Sequence, residues 1–262
     1  MEIINLQRKR LYAAAAVLVQ AGLLAACDRT AEIPAPAPTA TAGPSVPQVA
    51  TPKGPSRLIL AFGDSLYAGY GLDRGQSLPD AIQARLRQAG VNATIVNAGV
   101  SGDTSAAGRQ RFVFALDNLP RKPDLVLLGL GGNDVLRQIG PAETRANMVA
   151  MLEELKRRQI PVMLTGMMAP PNLGADYTRD FNAIWPDLAG KYRAALDPFI
   201  LDGVIGDTRL MQPDRVHPNP DGVAKIADRI APMVNDALPN FDHFSRIGGR
   251  MVTPRTASRR RT

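Results

Sequence analysis

Short apolar runs that alternate with helical patterns constrain the fold of this chain more than any other feature. Four runs rich in Leu, Val and Ile occur at 57–62, 93–98, 124–130 and 161–167. Helical patterns lie between and after them, at 78–89, 105–119, 142–158, 176–195 and 220–236. Strands that alternate with helices pair in parallel, and the helices then cover both faces of the sheet. The pattern therefore predicts an α/β domain over 57–240 with a central parallel sheet.

The first 26 residues have the composition of an export signal. Three basic residues at 8–10 precede a mostly apolar stretch, which ends in small residues before Cys27. Cys27 is the only cysteine of the chain and so has no partner for an internal disulfide. The sequence Leu-Leu-Ala-Ala-Cys at 23–27 resembles a bacterial lipobox, in which the cysteine is lipidated. We expect a lipoprotein-type signal peptide over 1–26 and a lipid anchor on Cys27; a plain signal peptide or an uncleaved anchor helix is the alternative.

Both ends of the chain differ in composition from its middle. Residues 28–56 hold seven prolines and no hydrophobic periodicity, so 27–56 is expected to be the lipidated cysteine followed by an extended linker. Residues 241–262 hold six arginines and one acidic residue, which is typical of a disordered basic tail. The two ends carry 11 of the 31 basic and 4 of the 24 acidic residues, which leaves 20 of each in 57–240. A domain without net charge gives no reason to expect a nucleic-acid partner.

Polar motifs follow the predicted strands, at the edge of the sheet where sites form in open α/β folds. Ser65 follows the first strand within Gly-Asp-Ser and is a candidate nucleophile, which needs a base to remove its proton. His217 is the candidate base, and Asp214 could accept a hydrogen bond from its Nδ1 and fix the tautomer. The alternatives are that Ser65 caps a helix, that Asp214 caps a turn and that His217 is an ordinary loop histidine.

Acyl transfer also needs donors that meet the developing oxyanion. The backbone amides of Ser65 and Gly102 and the side-chain NH₂ of Asn133 are the candidates. A glycine at 102 allows the backbone to approach a substrate closely or to adopt positive φ. The alternative is that Gly102 and Asn133 only form turns and that Asp64 and Asp134 only cap the segments after them.

These motifs together resemble the signature blocks of the SGNH (GDSL) hydrolases, in the order Ser, Gly, Asn, His. The stretches that carry the resemblance are FGDSLYAGYG (62–71), NAGVSGDTS (97–105), GGND (131–134) and DRVHPN (214–219). The resemblance spans about 57–236 and is nearest to a bacterial periplasmic group of thioesterases, lysophospholipases and arylesterases. It implies a flavodoxin-like three-layer α/β/α sandwich with about five parallel strands. It also implies the catalytic set Ser65, Asp214 and His217, the oxyanion donors Ser65, Gly102 and Asn133, and neither a metal nor a cofactor.

The resemblance implies a serine esterase that hydrolyses carboxylic esters or thioesters through an acyl-enzyme. A carbohydrate O-deacetylase that acts on envelope polysaccharide is the alternative, and a non-catalytic envelope lipoprotein is a further one. The loop 166–185 is apolar, and Met167, Pro170 and Leu173 are expected to contact an acyl chain or aryl group unless they belong to the core. Because of the export signal and Cys27, we expect the protein to be anchored by lipid on the periplasmic side of the envelope membrane. We also expect it to be a monomer that acts on a small-molecule or lipid acyl substrate.

Overall fold

Five parallel strands form one sheet at the centre of the described chain. The structure is a computed structural model that describes residues 52–239; the expected signal peptide, Cys27, most of the linker and the basic tail lie outside them. The strands are β1 (Arg57–Gly63), β2 (Ala93–Gly99), β3 (Leu125–Gly129), β4 (Val162–Thr165) and β5 (Ala195–Asp197). Their order across the sheet is β2-β1-β3-β4-β5, and every adjacent pair is parallel. The predicted parallel α/β sheet is confirmed.

Helices connect the strands and cover both faces of the sheet. In residues 52–239 they are α1 (Ser65–Ala68), α2 (Leu78–Gln88), α3 (Ser105–Asp117), α4 (Gly132–Leu136), α5 (Pro141–Arg157), α6 (Ala175–Asn182), α7 (Ile184–Tyr192) and α8 (Pro220–Ala237). A short 3-10 turn, Pro171–Leu173, precedes α6. None of the helices in this part of the chain combines the length and apolar character of a membrane span.

Alternate residues of the central strands face opposite sides of the sheet, as the strand period of two requires. Ile59 and Ala61 of β1 belong to an apolar cluster with buried residues of α2 and α8. Leu60 and Phe62 belong to a second cluster with buried residues of α3, α5 and α7. The strand therefore has a continuous apolar sequence because helices bury both of its faces. The predicted three-layer α/β/α sandwich is confirmed.

The register of the sheet brings the carboxyl ends of β1, β2 and β3 to the same level. Gly63 at the end of β1 pairs with Gly99 on one side and with Gly129 on the other. The segments that follow these three strand ends carry Ser65 at the start of α1, Gly102 in a turn and Asn133 in α4. Three motifs that are far apart in sequence thus begin from neighbouring points at one edge of the sheet.

The pattern at 176–195 predicts one helix, and this prediction is wrong in detail. The structure has two helices, α6 and α7, that meet at Ala183, followed by the three-residue strand β5. Pro186 accounts for the break, because it has no N–H to donate within a continuous helix and is well tolerated in the first turn of α7, where it lies. Arg193 then ends α7 in a left-handed conformation, with φ of 52°. Three residues of β5 are too few to form a recognisable strand pattern.

Candidate active site

A close-packed turn after β1 presents Ser65 at the edge of the sheet. Tyr67 of α1 is buried across the strand ends and its hydroxyl lies 2.9 Å from Thr165 Oγ1. A Cβ on Gly63 would lie 2.6 Å from both the carbonyl oxygen of Gly129 and the Tyr67 ring. Only glycine fits at this position, because any side chain would push the ring out of the core. The chain turns sharply here, and Ser65 begins α1 half-buried rather than inside the core.

Ser65, His217 and Asp214 form one chain of hydrogen bonds. His217 Nε2 lies 2.9 Å from Ser65 Oγ, across 152 residues of sequence. His217 Nδ1 lies 2.7 Å from Asp214 Oδ2. Since the carboxylate only accepts, Nδ1 carries the proton in this arrangement and Nε2 is left to accept from the serine hydroxyl. This is the geometry of a nucleophile with a general base and a group that orients the base.

The turn from Asp214 to His217 stabilises the carboxylate in its ionised form. Asp214 Oδ1 accepts from the backbone amides of Val216 and His217, at 2.9 Å and 3.0 Å. Partial burial opposes ionisation of this carboxyl, but the hydrogen bonds from the His217 side chain and from these two amides together lower its pKa to about 2. Asp214 is therefore ionised at neutral pH and can accept from Nδ1–H.

Gln212 connects the Asp214–His217 turn to the segment that follows Ser65. Its side-chain amide donates to the carbonyl oxygens of Tyr70, at 2.7 Å, and Pro218, at 3.0 Å. Its backbone amide donates to the carbonyl of His217 at 2.8 Å. The Tyr70 ring lies against the imidazole, with 4.6 Å between ring centroids. These contacts fix the position of the imidazole relative to α1.

The loops of Gly102 and Asn133 are bonded to each other. Asn133 Nδ2 donates to the carbonyl of Asp103 at 3.0 Å, and Arg137 Nη2 donates to the carbonyl of Gly102 at 2.9 Å. Gly102 has a φ of 86°, which favours glycine. Within residues 52–239, the backbone N–H groups of Ser65 and Gly102 donate to no protein acceptor. One hydrogen of the Asn133 amide is also free for a ligand, since its other hydrogen is used by Asp103.

Arg111 of α3 fastens the Gly102 loop to the ends of two strands. Its guanidinium contacts the Asp103 carboxylate at 2.6 Å and donates to the carbonyls of Ala98 and Gly63, at 2.8 Å and 2.9 Å. It also lies 3.9 Å from the centre of the Phe62 ring. A single side chain thus sets the distance between the turn that precedes Ser65 and the loop that carries Gly102.

Two buried carboxyl groups beside the site, those of Asp64 and Asp134, accept hydrogen bonds from the backbone amides of neighbouring helices. Asp64 is almost fully buried and accepts from the Leu66 amide at 3.1 Å, so it caps α1, and burial raises its pKa to about 6. Asp134 accepts from the backbone amide and hydroxyl of Ser105, at 2.8 Å and 2.5 Å, and from Thr144 Oγ1 at 2.9 Å. Asp134 thus accepts from the first residue of α3, a helix that precedes it in the chain, and does not only cap the segment that follows it. Ser105 is fully buried in this cluster.

A cavity of about 420 Å³ opens beside Ser65 and His217. Its lining is mostly apolar and includes Leu66, Val135, Leu136, Met167, Met168, Ala169, Pro170, Phe199, Leu201, Ile205 and Val216. Of the three residues expected to contact an acyl group, Met167 and Pro170 lie in this lining. Leu173 lies outside it and packs against the apolar cluster under α3, α5 and α7. No group of three His, Cys, Asp or Glu side chains between residues 52 and 239 is arranged to hold a metal ion.

Several residues that build the site carry no signal in the sequence pattern. Arg111 and Gln212 look like ordinary polar residues of a helix and a loop, because their roles depend on carbonyl groups from distant segments. Tyr70 lies within the motif FGDSLYAGYG, but nothing in the sequence relates it to His217. Met168 belongs to the apolar loop 166–185, which the sequence places beside the site, and it lines the cavity.

The chain is similar to the members of one known family of hydrolases. The GDSL-like Lipase/Acylhydrolase family matches residues 61–225. The chain is 35% identical to Esterase TesA of Pseudomonas aeruginosa over 188 residues, which cover 72% of this chain and 92% of that protein. It is also 35% identical over 181 residues to the Thioesterase 1/protease 1/lysophospholipase L1 of Escherichia coli K12, with coverage of 68% and 85%.

A solved structure shows the same fold with higher sequence identity. The crystal structure of AlinE4, an SGNH-hydrolase family esterase, is 55% identical to this chain, with a TM-score of 0.60 and coverage of 71% of this chain and 99% of that one. The family match includes every residue of the Ser65–His217–Asp214 chain of hydrogen bonds. The chain belongs to the GDSL-like lipase/acylhydrolase family and is a carboxylic ester hydrolase.

Proposed function

We propose that Ser65 is the nucleophile of this hydrolase, that His217 is its general base and acid, and that Asp214 orients His217. The observation that carries the proposal is the 2.9 Å approach of His217 Nε2 to Ser65 Oγ, with Asp214 on the opposite ring nitrogen at 2.7 Å. A serine hydroxyl needs such a base, since it is a weak nucleophile at neutral pH. The cavity beside the hydroxyl provides room for the carbonyl group of a substrate.

The reaction proceeds in two halves. Ser65 Oγ attacks the carbonyl carbon while His217 Nε2 takes its proton, and the carbonyl oxygen becomes an oxyanion. The tetrahedral species collapses when the imidazolium gives that proton to the leaving alcohol or thiol, which leaves an acyl group on Ser65. Water then repeats the sequence with His217 as base, and the products are a carboxylic acid and free Ser65. Asp214 stays ionised throughout and stabilises the imidazolium.

The amides of Ser65 and Gly102 and the Asn133 side chain are the proposed oxyanion donors. The ends of β1, β2 and β3 support this assignment. Gly63, Gly99 and Gly129 are paired side by side there, and each of the three donors lies within a few residues after one of them. The two backbone N–H groups have no other acceptor in the described chain. The Asp103 carbonyl fixes one hydrogen of the Asn133 amide and so orients the other before the reaction begins.

The apolar cavity supports esters or thioesters with an aliphatic or aryl acyl part. Its lining offers aliphatic and methionine side chains, which gain free energy from burying methylene groups and offer a sugar ring almost no hydrogen bonds. This lining does not favour the carbohydrate O-deacetylase alternative. We expect kcat/KM for p-nitrophenyl esters to rise from the acetyl to a medium-chain ester and to fall again when the chain exceeds the cavity.

Covalent labelling with a fluorophosphonate tests the nucleophile. Wild-type protein should react at Ser65, and Ser65→Ala should abolish both labelling and ester hydrolysis, leaving at most about 10³–10⁴-fold catalysis over water. Ser101→Ala is the matched control, because Ser101 is an exposed serine of the Gly102 loop and is not hydrogen-bonded to the His217 side chain. His217→Ala should lose activity about as completely as Ser65→Ala. Persistent labelling of Ser65→Ala would assign the nucleophile to another residue.

We further propose that the protein is an exported lipoprotein anchored on the periplasmic side of the envelope membrane. This rests on the sequence of residues 1–56 alone, with Cys27 as the lipidated residue. An extended linker at ~3.1 Å per residue would let the domain reach ~90 Å from the membrane. Wild-type protein should incorporate labelled palmitate and fractionate with membranes, whereas Cys27→Ser should do neither. Wild-type protein without lipid would contradict the anchor and leave a secreted enzyme.

A further inference from the structure

The two edges of the sheet carry opposite charge, although the domain has no net charge. The amino edge is the side where the strands begin and where α2, α3, α5, α7 and α8 end. It comprises six segments, which are 52–57, 85–93, 114–125, 153–162, 189–195 and 233–239. These segments hold eleven basic and five acidic residues, so the amino edge has a net charge of +6.

The carboxyl edge, which carries Ser65 and His217, has the opposite charge. Its segments run from the end of a strand to the first turn of a following helix, and they are 63–80, 99–108, 129–145, 165–187 and 197–221. They hold 6 basic and 14 acidic residues, a net charge of −8 with His217 counted as neutral. An anionic surface therefore attracts the amino edge and repels the carboxyl edge.

Helix dipoles explain only part of the positive charge of the amino edge. Cations are favoured in the last turn of a helix, and α2, α5 and α7 each have at least one there. Lys53, Lys122 and Arg193 lie beyond the helices, are exposed, and form no ion pair or side-chain hydrogen bond within residues 52–239. Four of the five carboxylates of this edge already pair with a basic residue of the same edge. The excess charge that remains for a partner is therefore positive.

Both ends of the described chain lie at the amino edge. Residues 53–55 line one recess together with Leu238, which follows α8. The Asn92 side chain holds the first of these segments, because it donates to the Gly54 carbonyl at 3.0 Å. The linker from the expected lipid anchor thus joins the domain at this edge. Soon after Leu238 the chain continues into 241–262, which contains six arginines.

We propose that the amino edge docks on the anionic phospholipid surface of the membrane that holds the anchor, so that Ser65 faces away from that membrane. The inference rests on the proposed lipid anchor and adds an orientation to it. The tether keeps the amino edge near the headgroups, where each cation strengthens binding about 5-fold. The same surface repels the acidic carboxyl edge. Substrate therefore reaches Ser65 from the aqueous side and not from the bilayer beneath the domain.

Fluorescence quenching by labelled lipids measures this orientation. Gln88→Cys places a thiol-reactive dye on the amino edge, and Thr208→Cys places the same dye on the carboxyl edge. Both positions are exposed and uncharged, and a lipidated Cys27 does not react. Each full-length lipidated protein is reconstituted in phosphatidylcholine vesicles that carry a headgroup quencher, with or without phosphatidylglycerol. Phosphatidylglycerol should increase quenching of the Gln88→Cys dye alone, and added salt should reverse the increase.

The double variant Lys53→Glu/Lys122→Glu tests the charge of the edge. It should lower the ratio of docked to undocked protein at least about 25-fold, because it removes two cations that each contribute about 5-fold. Arg74→Glu/Arg209→Glu is the matched control. Both of its positions are exposed on the carboxyl edge, and it changes the net charge by the same amount. This control should keep the quenching of wild type.

Equal quenching of the two dyes, or quenching that does not depend on phosphatidylglycerol, overturns the proposal. Wild-type quenching in Lys53→Glu/Lys122→Glu also overturns it, since docking would then depend on residues outside this edge. Absence of lipid on the wild-type protein contradicts the anchor alone. The same dyes on Cys27→Ser protein, mixed with the two kinds of vesicle, then decide whether the amino edge docks. None of these readouts depends on ester hydrolysis.

Discussion

The two halves of the active site are held in place in different ways. The nucleophile side comprises the strand-end segments that carry Ser65, Gly102 and Asn133, and buried polar groups such as Asp134, whose side chain is fully inaccessible, hold these segments in place. The acid-base loop, residues 211–219, lies on the surface, and the side chain of Asp214 is 37% exposed. Mutations on the nucleophile side are therefore expected to affect folding together with catalysis. Mutations in the acid-base loop should lower activity in a protein that remains stable.

The largest loss of stability is expected for Asp134→Ala. This change leaves the Ser105 amide and hydroxyl and the Thr144 hydroxyl buried without their acceptor. Each of these three unsatisfied buried donors costs ~1–3 kcal/mol, so we expect a loss of at least about 3 kcal/mol in total, and a Tm lower by at least about 6 °C. Calorimetry measures the change. Asp228→Ala, which removes an exposed ion pair with Arg85, is the control and should lower stability by less than about 1 kcal/mol.

Substitution of Asn133 by alanine and by glycine should show whether this residue acts as an oxyanion donor or only forms a turn. If the Asn133 amide stabilises the transition state, alanine should lower kcat by ~10²–10³, about 2.7–4 kcal/mol, with little change in KM. Asn133→Gly should then be equally inactive. If only the backbone turn matters, glycine should restore both stability and kcat. Near-wild-type kcat in a folded Asn133→Gly enzyme would remove Asn133 from the oxyanion hole.

Asp64→Asn should change how stability depends on pH. The pKa of Asp64 is about 6 in the folded protein and 3.8 as a reference for the unfolded chain, so between these values the folded state retains a proton that the unfolded state has lost. The contribution of Asp64 to the free energy of unfolding of the wild-type protein therefore falls as the pH rises from about 4 to about 6. Asparagine does not titrate and still offers an oxygen to the Leu66 amide.

The measurement is urea unfolding of wild type and Asp64→Asn at several pH values between 4 and 7. The stability of the variant relative to wild type should increase by about 2–3 kcal/mol over this interval, since each pKa unit corresponds to ~1.4 kcal/mol. Other titrating groups cancel in the difference except those that interact with Asp64, which are His217, Asp134 and Asp103. A difference that is constant with pH would contradict the raised pKa.

The smallest expected effect belongs to Gln212→Ala, in the acid-base loop. Loss of its hydrogen bonds to Tyr70 and Pro218 should let the imidazole shift relative to Ser65, so kcat should fall about 10-fold with KM little changed. Gln83→Ala is the matched control, because the Gln83 side chain accepts from the Ile95 amide on β2, away from the site. The control should lose some stability and keep its kcat. An equal kcat for both variants would show that Gln212 does not position the acid-base loop.

Much of the fold could be predicted because its signals are local. Strands buried on both faces are continuous apolar runs, and α8 begins where its signals indicate, with Asn219 as the cap and Pro220 as the first helical residue. The sequence pattern predicts neither the break at Ala183 nor the strand β5. A helical period that continues across Pro186 hides the break, and β5 is defined by its pairing with β4 rather than by its own sequence.

The sequence by itself determined the layered α/β fold and the inventory of polar residues at the strand ends. Both follow from local chemistry, since hydrophobic period, glycine turns and motif order are properties of neighbouring residues. Only the tertiary structure decided which of those residues meet. The 2.9 Å contact between Ser65 and His217 and the hydrogen bonds of Arg111 to Ala98 and Gly63 both depend on where distant segments lie in space. Packing of the three layers fixes these positions, because hydrogen bonds and cavities arise between segments that no local pattern relates.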